Sequence, residues 1–251
     1  MIDKVVPSFD EAVADVADGS IILIGGFGPA NGVPSYLIRA LHKKGSKNLT
    51  IACNTPGQGR ATGPAMAPPP GAPVRRAPPD HDNAGLLIQN FQVSKAIAAF
   101  PGTPRPGFPS PLHDQAREGK LTIEMVAQGT LAERIRAAKA GIPAFYTRTG
   151  AGTLLAKGKE VRVFNGREYL LEYALKGDFS FVRAHKADRR GNLVFQGTSR
   201  NFNGAMAGAS RITIAEVDEL VEVGALDPEA VATAGIYVQR VVVRPKGGQA
   251  K

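Results

Sequence analysis

Tryptophan is missing from these 251 residues, and aromatic residues make up only 6% of them. Nucleic-acid binders need a concentrated basic stripe, ideally interleaved with aromatic rings. Here Lys and Arg are scattered, so the formal charge of +9 reads as a solvated basic surface that at most draws in anionic ligands such as nucleotides or carboxylates. No nucleic-acid partner is expected. The one cysteine, Cys53, excludes an internal disulfide framework and suits a reducing compartment. There is no apolar run of the roughly 18 residues that a spanning helix needs, and the N-terminal MIDKVVPSFDEAV carries no secretory apolar core. The expectation is a cytoplasmic protein without a membrane partner. His42, His81, His113 and His185 share no ligand spacing with Cys53 or with one another, which argues against a metal site. No Walker lysine, no internal repeat and no nucleophile elbow around Ser199 is found.

What is present is an alternation of strand and helix patterns. Ser8 and Glu11 form a capping-box pattern ahead of a helix that Gly19 is placed to stop. SIILI (20–24) and LTIAC (49–53) read as buried strands, with a helix over 34–45 between them that Gly45 ends. Further on, the pattern predicts a helix over 85–95, strands over 96–100 and 121–126, and a helix over 129–141. After Gly141 the segments 167–175, 179–188 and 191–196 are strand-like, with a turn signal at DRRGN. A short helix at 201–209 and strands at 211–217 and 237–243 follow. This predicts an α/β protein: a mostly parallel open sheet with helices on both faces and an antiparallel excursion. One domain is expected over 1–245, followed by a short tail, 246–251. Pro/Ala/Gly-rich stretches at 55–83 and 101–111 have no apolar period and read as surface loops or disordered insertions.

IGGFGPANGVP, residues 24–34, strips side chains from the end of the first strand. Backbone N–H groups at such a turn can approach an anion closely, yet the dinucleotide spacing fails because Gly26-x-Gly28-x-x ends on Asn31. Two readings stand at this point: a ligand-binding turn at a strand's carboxyl end, or a tight turn that lets helix and strand pack.

DGSIILIGGFGPANGVP (18–34) resembles the first signature of the family I CoA-transferases. The resemblance continues in order through 127–160, 177–203 and 220–243, and so covers nearly the whole chain outside the Pro-rich stretches. It points to a Rossmann-like CoA-transferase fold and to the α (A) subunit of a 3-oxoacid CoA-transferase of the succinyl-CoA:acetoacetate or succinyl-CoA:3-oxoadipate type. Two departures stand out. The loop between Gly-Gly-Phe and Gly32 is one residue longer than the family pattern, and Asn54 runs into the Pro/Ala segment where relatives have a short Asn-rich loop.

The resemblance implies coenzyme A esters and carboxylates as substrates, no permanently bound cofactor, and a β-subunit partner in a heterotetramer of two α and two β chains. The family's nucleophilic glutamate lies in a Ser-Glu-Asn-Gly motif of the β subunit, which this sequence lacks. It also implies that Gly25, Gly26, Phe27, Gly28, Pro29, Ala30, Asn31 and Gly32 clear space for CoA or its acyl group, and that Gln128 and Asn54 face the active site. A neutral amide at Gln128 can hydrogen-bond an acyl oxygen, or it can simply satisfy the backbone where its helix begins. Glu133 and the carboxylates of AEVDELVE (215–222) read as solvated faces and helix-terminus charges. Phe202 and Asn203 read as packing and turn residues. An acyl-CoA hydrolase-like relative, or a non-catalytic ligand-binding module of the same fold, remain as alternatives.

Overall fold

The computed structural model describes residues 2–27, 32–57, 82–102 and 111–245. Seven strands run parallel in one sheet: β1 (Ile21–Ile24), β2 (Leu49–Cys53), β3 (Val93–Ala98), β4 (Thr122–Met125), β8 (Gly177–Asp188), β10 (Ser210–Val221) and β11 (Arg240–Val243). Their order is β11-β10-β8-β1-β2-β3-β4, and the short β9 (Leu193–Val194) pairs antiparallel with the end of β8. The chain lays strands outward from β1 to β4, then returns to the other side of β1 with β8. The order therefore reverses between β1 and β8. In open α/β sheets the crevice at such a reversal, outside the carboxyl ends of the strands, is where ligands bind.

Alternation along the strands divides the core in two, because successive side chains point to opposite faces. Ile22, Ile24, Ile51, Phe179, Phe181, Ile214 and Val242 meet α1 (Phe9–Ala12), α2 (Ser35–Lys44), α3 (Gly85–Gln89) and α4 (Pro111–Arg117). Leu23, Ala52, Ile97, Val182, Ala184, Ala215 and Val217 meet α5 (Gln128–Ala140) and α6 (Asn201–Met206) on the other face. The uniformly apolar strands of the sequence are thus strands covered on both sides.

The antiparallel excursion is a separate sheet of three strands, ordered β5-β7-β6, formed by β5 (Ala144–Thr147), β6 (Val161–Phe164) and β7 (Arg167–Tyr173). Arg134 of α5 ties it to the main sheet. Its Nε donates to Tyr173 O at 2.9 Å, its Nη1 to Glu124 Oε1 of β4 at 2.7 Å, and its own carbonyl accepts from Leu175 N.

Several expected boundaries move. The helix expected over 85–95 ends at Gln89; Phe91 has φ 54°, which breaks it, and β3 begins at Val93. Ser8 caps α1 as expected, accepting from Glu11 N at 3.1 Å, but the helix ends at Ala12, well before Gly19. Of the proline-rich stretch 101–111, residue 111 opens α4 and 103–110 lie outside the described residues. Most of 55–83 likewise falls outside them, at 58–81, while its two ends are packed against the body. Pro56 O accepts from Gly85 N at 2.8 Å, and buried Asp82 takes Arg39 Nε at 2.8 Å.

Candidate active site

The glycine turn leaves β1 at the reversal point. Gly25 N donates to Phe181 O at 2.9 Å, so the turn begins as a continuation of the β1–β8 pairing. Over it sits Asn203 of α6, fully buried. Asn203 Oδ1 accepts from Arg183 N at 2.9 Å, and its Nδ2 donates to Gly32 O and Ser199 O, each at 2.8 Å. One side chain thus clamps the far end of the turn to β8. Reading Asn203 as a turn residue missed this; an amide with donors and acceptor all in use cannot be recognised until its partners are in space.

The clamp explains the glycines. A Cβ at Gly25 would fall 1.9 Å from Asn203 Oδ1. At Gly26, which has φ +104°, it would fall 2.7 Å from Val33 Cγ2, and at Gly32, φ +70°, 2.7 Å from Ser199 O. The space a side chain would need is already filled by the chain itself, and at two of these positions the backbone also favours glycine. Phe27 stands half-exposed at the rim. Gly28, Pro29, Ala30 and Asn31 lie outside the described residues.

Asn54 and Gln128 do come together. Asn54 follows β2 directly and is buried; Gln128 opens α5 just after β4. Gln128 Nε2 donates to Asn54 Oδ1 at 2.7 Å, and Asn54 Nδ2 donates to Thr55 Oγ1 at 2.9 Å. The oxygen and nitrogen of each amide are assigned by this network. Two neutral amides, 74 positions apart in sequence, are locked to each other beyond the carboxyl ends of β2 and β4. Cys53, one residue before Asn54, faces the opposite side and is fully buried; burial pushes its thiol up to about 12, which removes it as a nucleophile.

The carboxylates divide sharply. Glu133 is a solvated helix residue paired with Arg136, as expected. Glu216, expected on a solvated face, is instead fully buried in β10. Its position alternates with Ile214 onto the face that meets α2, and its Oε2 accepts from Tyr36 N at 2.9 Å and Leu37 N at 3.1 Å. Arg244 Nε lies 3.0 Å from its other oxygen, a charge contact outside hydrogen-bond geometry. Burial is the dominant influence and raises Glu216 to about 7, against the opposing pull of Arg244, Arg183 and the two N–H groups. Asp218, two positions on, is also desolvated, but Arg244 at 2.8 Å and Arg183 at 3.1 Å overcome that and hold it below the ordinary carboxylate value. Among the described residues no group of three or more His, Cys, Asp or Glu could hold a metal ion, and no helix is long and apolar enough to cross a membrane.

A parallel sheet that reverses beside a glycine turn, with polar amides beyond the carboxyl ends of β2 and β4, makes this an open α/β protein with the crevice at which such sheets bind ligands. The coenzyme A transferase family model matches residues 6–72 and 77–244, and the chain belongs to that family. It is 41% identical over 240 residues to the A subunit of a Helicobacter pylori succinyl-CoA:3-ketoacid coenzyme A transferase, covering 96% of this chain and 92% of the relative. It is 43% identical over 242 residues to the A subunit of a Pseudomonas putida 3-oxoadipate CoA-transferase, covering 96% and 94%. In fold it is similar to an Escherichia coli O157:H7 acyl-CoA transferase solved as a thioester complex with CoA, at a TM-score of 0.78 and 24% identity. That likeness covers 99% of this chain and 49% of the other, so the chain spans about half of that enzyme. The protein is a CoA-transferase subunit.

Two outcomes follow from this geometry. Gly25→Ala displaces Asn203 and forfeits its buried hydrogen bonds, so melting should show a loss of about 2 kcal/mol or more; a variant as stable as wild type would refute the clamp. The second concerns pH. The folded chain holds the Glu216 proton more tightly than the unfolded chain, so this contribution to stability is fully present below pH 4.5 and is lost as pH rises through about 7. Glu216→Gln lacks that loss, and its melting temperature should therefore gain on wild type between pH 5 and 8, by roughly 5–10 °C. A difference that stays flat, or narrows, would contradict the assignment.

Proposed function

We propose that this chain is the A subunit of a 3-oxoacid CoA-transferase that moves CoA from succinyl-CoA to acetoacetate or 3-oxoadipate, with the nucleophilic glutamate supplied by a B subunit. The observation that carries this reading is the match to A-subunit relatives over nearly their full length, joined to an amide pair at the carboxyl end of the sheet. The buried carboxylates support it too, because each has structural work. Glu216 caps α2, Glu172 pairs with Lys159, and Asp188 accepts from Arg190 N and Asn192 N.

In the reaction so read, a carboxylate oxygen of the partner's glutamate attacks the acyl-CoA carbonyl. The C–S bond breaks, leaving an acyl-glutamyl anhydride and CoA thiolate. The thiolate then attacks the glutamyl carbonyl, expelling the first carboxylate and forming a glutamyl-CoA thioester. The acceptor acid repeats the two steps in reverse. Each exchange is covalent catalysis that divides one hard transfer into easier ones.

This chain's part is to bind and to stabilise charge. Gln128 carries two N–H groups; the bond to Asn54 fixes its amide, and the second N–H is directed to the acyl oxygen as it gains charge. A prealigned neutral donor stabilises that oxygen without protonating the attacking carboxylate. The glycine turn, with Phe27 at its rim, forms the wall against which CoA or its acyl group lies.

The test is reconstitution. The purified chain alone should transfer no CoA, and addition of the B subunit should restore turnover. In that complex Gln128→Ala should lower kcat/KM by roughly 100-fold, as the loss of one oxyanion donor does elsewhere, while stability to melting falls only by the cost of leaving buried Asn54 Oδ1 unpaired, about 1–3 kcal/mol. Turnover by the chain alone, or wild-type kinetics in Gln128→Ala, would refute this reading.

A further inference from the structure

Helix α2 begins where the glycine turn ends, and it has no cap of its own. The residue before it is Pro34, which offers no side-chain acceptor, and Ser35 turns its hydroxyl back toward Val33 O at 3.5 Å. A helix start of this kind leaves its first N–H groups without partners inside the helix. Those of Tyr36 and Leu37 are nevertheless both satisfied by Glu216 Oε2. The acceptor reaches them from the middle of β10, 180 residues further along the chain.

The surroundings hold that carboxylate in one place. Arg244, beyond β11, contacts Glu216 at 3.0 Å and Asp218 at 2.8 Å. Asp218 in turn takes Arg183 of β8 at 3.1 Å, with His185 Nδ1 at 3.6 Å. From the helix side the guanidinium groups of Arg39 and Arg244 lie 5.0 and 5.1 Å from the centre of the Tyr36 ring. A carboxylate at a helix N-terminus also gains from the helix dipole. The same helix end, in other α/β proteins, is what a ligand's phosphate uses; here two of its donors are already spent on the chain's own Glu216.

We infer that Glu216 is a positioning residue for CoA transfer: reaching across from β10, it anchors the first turn of α2 and so fixes the Gly32–Pro34 end of the glycine turn, while denying that helix end to a phosphate of CoA. The inference rests on the proposed place of the glycine turn in the acyl-CoA site. The connection is short. Gly26 is packed against Val33, and Pro34 leads straight into the two residues that Glu216 holds.

The experiment compares Glu216→Gln, which keeps an oxygen able to accept both N–H groups, with Glu216→Met, which keeps the length but has no acceptor. Both are assayed in the complex with the B subunit for kcat and KM with succinyl-CoA, for melting temperature, and for hydrogen exchange of the peptide 32–38. Glu216→Met should lower kcat by roughly 10- to 100-fold, as a misplaced reacting geometry does, with a smaller change in KM. Its 32–38 peptide should exchange faster while β8 and β10 do not, and Glu216→Gln should recover most of the rate. Unaltered exchange in Glu216→Met overturns the anchoring. Faster exchange with unaltered kcat overturns instead the placement of the glycine turn in the site. Equal losses in both variants, in parallel with melting temperature, make Glu216 a packing residue and overturn the inference. Should neither variant fold, the wild-type amides decide: Tyr36 and Leu37 exchanging as slowly as the helix interior supports the anchor, and exchange as fast as a frayed helix end overturns it.

Discussion

The buried amide of Asn203 is the contact on which the site end of the molecule depends. It joins the backbone of β8 at Arg183, the glycine turn at Gly32 and the turn before α6 at Ser199. These segments meet where the strand order reverses, beyond the last backbone bond that continues the β1–β8 pairing, Gly25 N to Phe181 O. A buried donor or acceptor left unmade costs about 1–3 kcal/mol, so a side chain with its donors and acceptor all matched at this point both stabilises the junction and specifies it. The glycine pattern is then a consequence. Gly25 lacks a side chain because Asn203 occupies the place where one would go.

A second cross-link works on the opposite face. Asn203 belongs to α6 and reaches the turn from one side of the sheet, while Glu216 holds the start of α2 from the other. The turn is gripped between them. Both grips use polar side chains inside an otherwise apolar frame, which is costly unless every bond is made. Glu216 shows the cost directly, since burial outweighs two N–H donors and a neighbouring guanidinium in setting its proton affinity. Rigidity at this site is obtained through polar contacts that tolerate little displacement.

This division of labour bears on catalysis. The carboxylates that the fold buries at Glu216, Glu172 and Asp188 are committed to holding the chain together. The pair that meets beyond β2 and β4, Asn54 and Gln128, is neutral. Such a surface suits a protein that binds and polarises a thioester while another chain attacks it. On the proposed reading, a charged group of its own beside the incoming glutamate would raise or lower that nucleophile's reactivity, which two neutral amides do not.

Local pattern determined the architecture. Mostly apolar runs alternating with helical patterns read as strands covered on both faces, and they were legible at 20–24, 49–53 and 211–217. The collinear signatures likewise carried the family, whereas that Asn54 and Gln128 bond to each other was visible only in space. Where the two parted, the cause was distance along the chain. The helix expected to run to residue 95 ended at Gln89 because Phe91, its ring exposed beneath Lys120, takes a left-handed conformation that its residue type does not announce. Glu216 looked solvated because its neighbours in sequence are acidic, yet the alternation of β10 turns it inward to a helix end 180 residues away. Asn203 looked like a turn residue for the same reason. Periodicity reports which face a residue occupies. Only the tertiary structure brings the unpaired N–H groups of one element to the acceptors of another, and the clamps on the glycine turn are made of such meetings.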